Sequence, residues 1–439
     1  MKNSRNKIIE RRFLLPFILV TSLFALWGFA NDITNPMVAA FQTIMEISAT
    51  KASMVQFAFY GGYATMAIPA ALFIRRFSYK SGILLGLALY AIGAFLFIPA
   101  AHCEDFSLFC VSLYVLTFGL AFLETTANPY ILSLGSKATS TRRLNFAQAF
   151  NPIGSLSGMA VASLIVLPNL ISDRRNAAGE IIYPTLDTAE KASIRVHDLA
   201  IIRDPYVVIG LVVVMMLVII ALAKMPNLQG DQANFRFAET MGRLWKNARY
   251  CWGVLAQILY VASQIMVWTF IIQYAENLGF NKATAQNYNI VAMMMFLCFR
   301  FLGTYLMKYI SPSRLLAYFG IGASICTLFA ITIVGFCGLC FLVAISAFMS
   351  IMFPSIYGIA LDGVEPQDTS LGAAFLVMAI VGGALMPPLQ GMIIDCGTIG
   401  SMPAVNVSFV LPLVCFVAVA IYGFYTSRRE PVLNTTGEI

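Results

Sequence analysis

Residues 205–223 read PYVVIGLVVVMMLVIIALA, nineteen positions without a single charge. Wound as a helix at 1.5 Å per residue, such a run reaches about 28 Å, close to the ~30 Å hydrocarbon thickness of a bilayer. Backbone amides in lipid must find partners inside their own segment, so helix is the economical form, and the alternation expected of barrel strands is missing here. The stretch is not isolated. Comparable runs recur over 16–43, 53–74, 81–101, 107–134, 145–168, 251–274, 283–307, 314–335, 337–361, 371–396 and 404–425, giving twelve expected spans in all. The chain of 439 residues is 59% apolar and only 11% charged, against roughly 25% charged in soluble domains. An all-α polytopic membrane protein is the fold class this composition requires.

The formal charge of +7 has a positional explanation. With the N-terminus inside, most basic residues fall in the N-terminal tail and in the loops around 75–80, 137–143, 224–249, 308–314 and 428–429, which are then all cytoplasmic, as the positive-inside rule expects. Both termini are cytoplasmic on this reading, and a nucleic-acid surface, which would gather its basic residues on one face, is excluded. Arg300 alone among the cations falls within a span. The nine cysteines lie mostly in apolar segments, where a free thiol behaves as a small hydrophobe. Cys337 and Cys340 form a C-x-x-C pattern at a short outer turn, without the second pair or His that zinc requires. His102 and His197 fall in outer loops, no phosphate loop is present, and Met293–Met295 reads as packing, so neither an enzyme, a metal site nor a cofactor is expected. Arg11 and Arg12 precede an apolar run with no small-residue cleavage site and anchor the first span.

Residues 225–249 form a basic, Trp-containing connection that divides the chain into a bundle at 1–224 and a second at 250–439, six spans each. An offset of about 225 residues lays Pro129 on Pro354 and Asp32 on Gln257; parallel duplication of this kind is typical of two-lobed carriers, which bind substrate near the midplane. Only Asp32 and Glu124 are acids placed well inside spans. An ionised carboxylate at that depth costs several kcal/mol, and intramembrane acids usually mark ion or substrate pathways. Both are candidate proton-coupling groups. The alternative is a carboxylate neutralised permanently by hydrogen bonds or by Arg300.

Neutral hydrogen-bonding groups gather near these acids at helical spacing: Asn31 and Asn35 with Asp32, Gln56 with Tyr60 and Tyr63, Asn128 with Glu124, and Gln148 with Asn151. Gln257, Tyr260, Gln264 and Trp268 repeat the pattern in the second half, followed by Asn287 and Asn289. Amides and aromatic faces suit a polyhydroxylated ligand, while the alternative use of each group is to bond helix to helix.

The stretches 24–31 (FALWGFAN), 55–60 (VQFAFY), 123–130 (LETTANPY), 143–151 (RLNFAQAFN), 254–257 (VLAQ) and 346–351 (SAFMSI) resemble the fucose–proton symporter family of the major facilitator superfamily. The resemblance implies twelve helices in two pseudo-symmetric six-helix bundles, alternating access in a bacterial cytoplasmic membrane, a monomer, and uptake of fucose, glucose, galactose or a related sugar with protons. It puts the family's motif glutamate on Glu124 and a binding glutamine on Gln148. The first span departs from it. Members read N-N-L-N-D there, with the final Asp implicated in coupling; this chain reads Asn31-Asp32-Ile33-Thr34-Asn35. Asp32, one turn earlier on the same face, is expected to take over part of that task. Phe353 stands before Pro354 where members carry Tyr. An uncoupled facilitator and an efflux antiporter of the same fold are the competing readings.

Overall fold

The computed structural model describes residues 9–47, 51, 54–174, 182–226, 237–280 and 282–428. Within them twelve helical spans are long and apolar enough to cross a membrane: Arg11–Thr34, Phe57–Arg76, Tyr79–His102, Phe106–Ser133, Lys137–Asn169, Thr188–Leu222, Ala248–Asn277, Thr284–Leu306, Pro312–Thr332, Phe336–Leu361, Thr369–Ile394 and Ala404–Ser427. The only strands among the described residues are a two-residue antiparallel pair, Thr398–Ile399 with Met402–Pro403, in the turn before span twelve.

Packing divides the chain into two compact units. One comprises Leu14–Tyr130 with Phe150–Gln229; the other comprises Met1–Phe13, Ile131–Ala149 and Gly230–Ile439. In the first unit, spans one and five lie in intimate contact because Gly28 and Gly154 have no side chains: a Cβ on Gly154 would sit on the Ala25 carbonyl oxygen, and one on Gly28 would meet that of Asn151. The Asn151 amide donates to Phe24 O at 3.2 Å and the Ser155 hydroxyl to Gly28 O at 3.4 Å. Span six joins span one where the Thr34 and Tyr206 hydroxyls meet at 2.9 Å.

Span six is longer than hydropathy alone indicates. Its helix starts at Thr188, where Asp187 accepts the Glu190 N–H as N-cap, so much of the 169–203 segment expected to be loop is helix. Charged residues such as Glu190, Lys191 and Arg195 keep this extension in water, which is why a hydropathy window stops at 205. The fully buried Asp198 on the extension accepts the backbone N–H groups of Ile171 (3.0 Å) and Ser172 (2.8 Å), and Tyr183 Oη donates to Ile44 O at 3.0 Å. The same extension places His197 on a helix, 2.9 Å from Asp198, and His102 closes the short helix Phe97–His102; neither is in a loop. Cys337 and Cys340 likewise sit in the first turns of the helix Phe336–Met349, unbonded, rather than in a turn.

Spans five and ten are among those that are interrupted, each just before a proline. Span five runs as Ser140–Gln148, a turn at Ala149, and Phe150–Val161; span ten runs as Phe336–Met349, a break at Ser350 and Ile351, and Met352–Leu361. Pro152 and Pro354 lack the N–H that would bond four residues back. The carbonyls released in this way belong to Gln148 and Ser350.

Candidate functional site

In the first unit the polar centre is Glu124. It is 7% exposed, the Trp27 indole lies within interaction reach of its carboxyl, and its Oε2 has no hydrogen-bonding partner among the described residues. Trp27 is fixed by stacking on Phe24, ring centroids 4.4 Å apart. One turn beyond Glu124, the buried Asn128 donates Nδ2 to the Glu124 carbonyl at 3.1 Å. Tyr63 is buried within electrostatic reach of Glu124, and Tyr60 stands in the same relation to Asp32. Asn31, Asp32, Tyr60 and Asn151 are half-buried. The side chains of Asn35 and Gln56 lie outside the described residues. Trp27 is the member that sequence reading missed. The signal was available, since Trp27 precedes Asn31 by one helical turn on the same face.

In the second unit the centre is Arg300, 3% exposed on span eight. Its Nη1 donates to Gln148 O at 3.0 Å and its Nε donates to Ser350 O. These are the two carbonyls that Pro152 and Pro354 leave unpaired, so one planar guanidinium closes both helix breaks. Its face lies 4.5 Å from the Phe296 ring centroid, a cation–π contact. It takes carbonyls, not a carboxylate, as hydrogen-bond acceptors. Beside it the Tyr260 hydroxyl donates to Met349 O at 3.1 Å, Trp268 Nε1 donates to Ser346 Oγ at 3.2 Å, and Asn145 Nδ2 donates to Ser355 Oγ at 3.2 Å.

Among the described residues, Gln257 is fully buried with neither amide atom hydrogen-bonded, and Ser350 Oγ is in the same condition. Leaving such groups unmade costs about 1–3 kcal/mol each, which is the signature of atoms held for a purpose other than stability. Gln148 is 5% exposed, and Gln264 and Trp268 are half-buried. Asn287, by contrast, is exposed near the start of span eight. Among the described residues no group of His, Cys, Asp or Glu could hold a metal ion.

Twelve apolar helical spans among the described residues, with a buried carboxyl in one unit and a buried guanidinium beside an idle buried amide in the other, define a polytopic carrier. The chain belongs to the Major Facilitator Superfamily, whose sequence profile matches residues 18–387. It is 63% identical over 419 residues to the L-fucose-proton symporter of Haemophilus influenzae, covering 95% of this chain and 98% of that one. It is 34% identical over 426 residues to the L-fucose-proton symporter of Escherichia coli K12, covering 95% and 94%. The crystal structure of the E. coli fucose:proton symporter FucP superposes with a TM-score of 0.86 at 32% identity, over 95% of this chain and 99% of that one.

Proposed function

We propose that this protein imports L-fucose or a closely related monosaccharide together with protons, by alternating access across a bacterial cytoplasmic membrane. The observation that carries the reading is the Glu124 carboxyl: buried, with the Trp27 indole beside it and Oε2 without a hydrogen-bonding partner among the described residues. A carboxyl in that setting can hold a proton while shielded and release it when water reaches it. The names of the two sequence relatives support both the sugar and the coupling ion.

In the proposed cycle a protonated Glu124 and the sugar load from outside, the lobes 1–224 and 250–439 rock about the 225–249 connection, and both ligands leave inward. Asp32 assists coupling. Gln148, Asn128 and Asn31 supply donors and acceptors to sugar hydroxyls, as do Gln257 and Gln264, while Tyr60, Tyr260 and Trp268 offer ring faces to its C–H surfaces. Asn35, Gln56, Asn151 and Asn287 complete the proposed set, with Asn151 already spending one N–H on Phe24. The protein is proposed to act as a monomer with both termini cytoplasmic.

At a membrane potential of ~150 mV one co-transported charge supplies about 3.5 kcal/mol, enough for several-hundred-fold accumulation. Proteoliposomes under an imposed pH gradient should concentrate labelled L-fucose, and Glu124→Gln should abolish uphill uptake while retaining sugar exchange. Undiminished accumulation by that variant refutes the role of Glu124. Equilibration without accumulation by the wild type identifies a facilitator instead, and proton-driven export identifies an antiporter.

A further inference from the structure

Ahead of span seven the linker carries a ten-residue helix, Phe237–Lys246, that the transport cycle leaves unused. Its residues sort into three stripes. Thr240 and Leu244 are buried against the protein. Phe237, Met241 and Trp245, four residues apart, form an apolar stripe beside them, in which Phe237 is 41% and Trp245 61% exposed. Glu239, Arg243 and Lys246 make the polar stripe.

The helix is fastened in place. Arg243 donates Nε and Nη2 to the two oxygens of Asp368 at 2.8 and 2.7 Å, and the Thr240 hydroxyl adds a third bond to Asp368 at 3.0 Å. Asp368, 2% exposed, stands at the N-terminus of the helix Thr369–Met378 in span eleven. Asn247 follows directly as the N-cap of span seven, its side chain accepting the Tyr250 N–H.

This clamp sets the apolar stripe beside spans seven and eleven. The Trp245 ring lies 6.4 Å from that of Phe375 in span eleven, and Trp252 on span seven is 57% exposed. The stripe is therefore continuous with exposed apolar surface on a span long and apolar enough to cross a membrane. Lys246 stands exposed at the polar edge, where a lysine attracts acidic headgroups.

We propose that Phe237–Lys246 is a membrane-surface helix that seats Phe237, Met241 and Trp245 in the headgroup layer of the cytoplasmic leaflet and gathers anionic lipid at Lys246. The choice of leaflet rests on the N-inside topology proposed above; the lipid contact does not.

The test uses the full chain in vesicles of phosphatidylcholine, alone or mixed with phosphatidylglycerol, brominated on acyl carbons near the headgroup. The emission lost in Trp245→Phe isolates the Trp245 signal. That signal should be quenched by brominated lipid and shielded from aqueous iodide. Brominated phosphatidylglycerol should be enriched about five-fold around it over brominated phosphatidylcholine at equal mole fraction, and Lys246→Gln should remove the enrichment. Quenching by iodide and not by lipid overturns the proposal, as does shielding from both, which reports a protein partner. Equal quenching by the two lipids overturns the role of Lys246. Transport is not read in any arm, so the outcome is independent of the sugar and its coupling.

Discussion

Arg300→Lys is the substitution whose cost the geometry defines most closely. The guanidinium reaches Gln148 O from Nη1 and Ser350 O from Nε, two acceptors in different spans that a single ammonium cannot serve together. One charged hydrogen bond is then lost and one buried carbonyl is left unmade. Each loss falls in the range of 1–3 kcal/mol, and partial relaxation brings the sum to about 2–3 kcal/mol, or roughly a 30- to 160-fold weakening of the braced arrangement. Sugar affinity, measured by equilibrium binding to detergent-purified protein, should fall by up to that factor, because the backbone that aims Gln148 is no longer held.

The decisive assay is a double-mutant cycle. Pro152→Ala restores an N–H four residues beyond Gln148 and lets span five close its own break; Pro354→Ala does the same for Ser350. Arg300→Lys should therefore cost less in either background than in the wild type, by an interaction term of about 1 kcal/mol or more. Additive effects in both backgrounds would show that the prolines and Arg300 are unrelated, and the bracing argument fails.

Three further outcomes are expected. Trp27→Phe keeps the stack on Phe24 but removes the indole N–H beside Glu124, so pH-driven uptake should slow by about ten-fold while sugar counterflow stays near wild type; equal loss of both modes points to a packing defect instead. Gly154→Ala has no room against Ala25, and folded protein recovered by size-exclusion chromatography should fall sharply; wild-type yield contradicts the contact. Asp198→Ala unpairs the backbone N–H groups of Ile171 and Ser172, a loss of about 2–4 kcal/mol, and a protease added to detergent-purified protein should then cut within 171–187 faster than in the wild type. An unchanged cleavage rate dismisses the clamp.

The twelve spans were legible because lipid imposes a single demand, an apolar run of sufficient length, and Val207–Ala223 meets it without ambiguity. The first half of span six was not, since Thr188–Arg203 is a helix whose many polar residues resemble those of a loop. Glu124 stood out as a carboxyl at lipid depth, and its neighbour Trp27 could have been found by following the helix face back one turn from Asn31. The role of Arg300 was harder to see. A cation in a span suggests an acidic partner, and the sequence contains no direct sign that its partners are backbone oxygens. The sign is indirect, in Pro152 and Pro354, each four residues beyond the carbonyl it releases. Gln257 was singled out by alignment of the halves, but that both its amide atoms would be idle is a property of packing, which a sequence of residue types does not record.

The glycine contact between spans one and five bears on how a proton and a sugar can be linked at all. With the Ala25 and Asn151 carbonyls filling the space where side chains would stand, and two side-chain hydrogen bonds across the seam, neither helix can slide or turn without dragging the other. Trp27, beside Glu124, rides on one of them, and Asn151 rides on the other. On the proposed coupling role of Glu124, a change of protonation felt at the indole would be handed on as a joint displacement of the two helices.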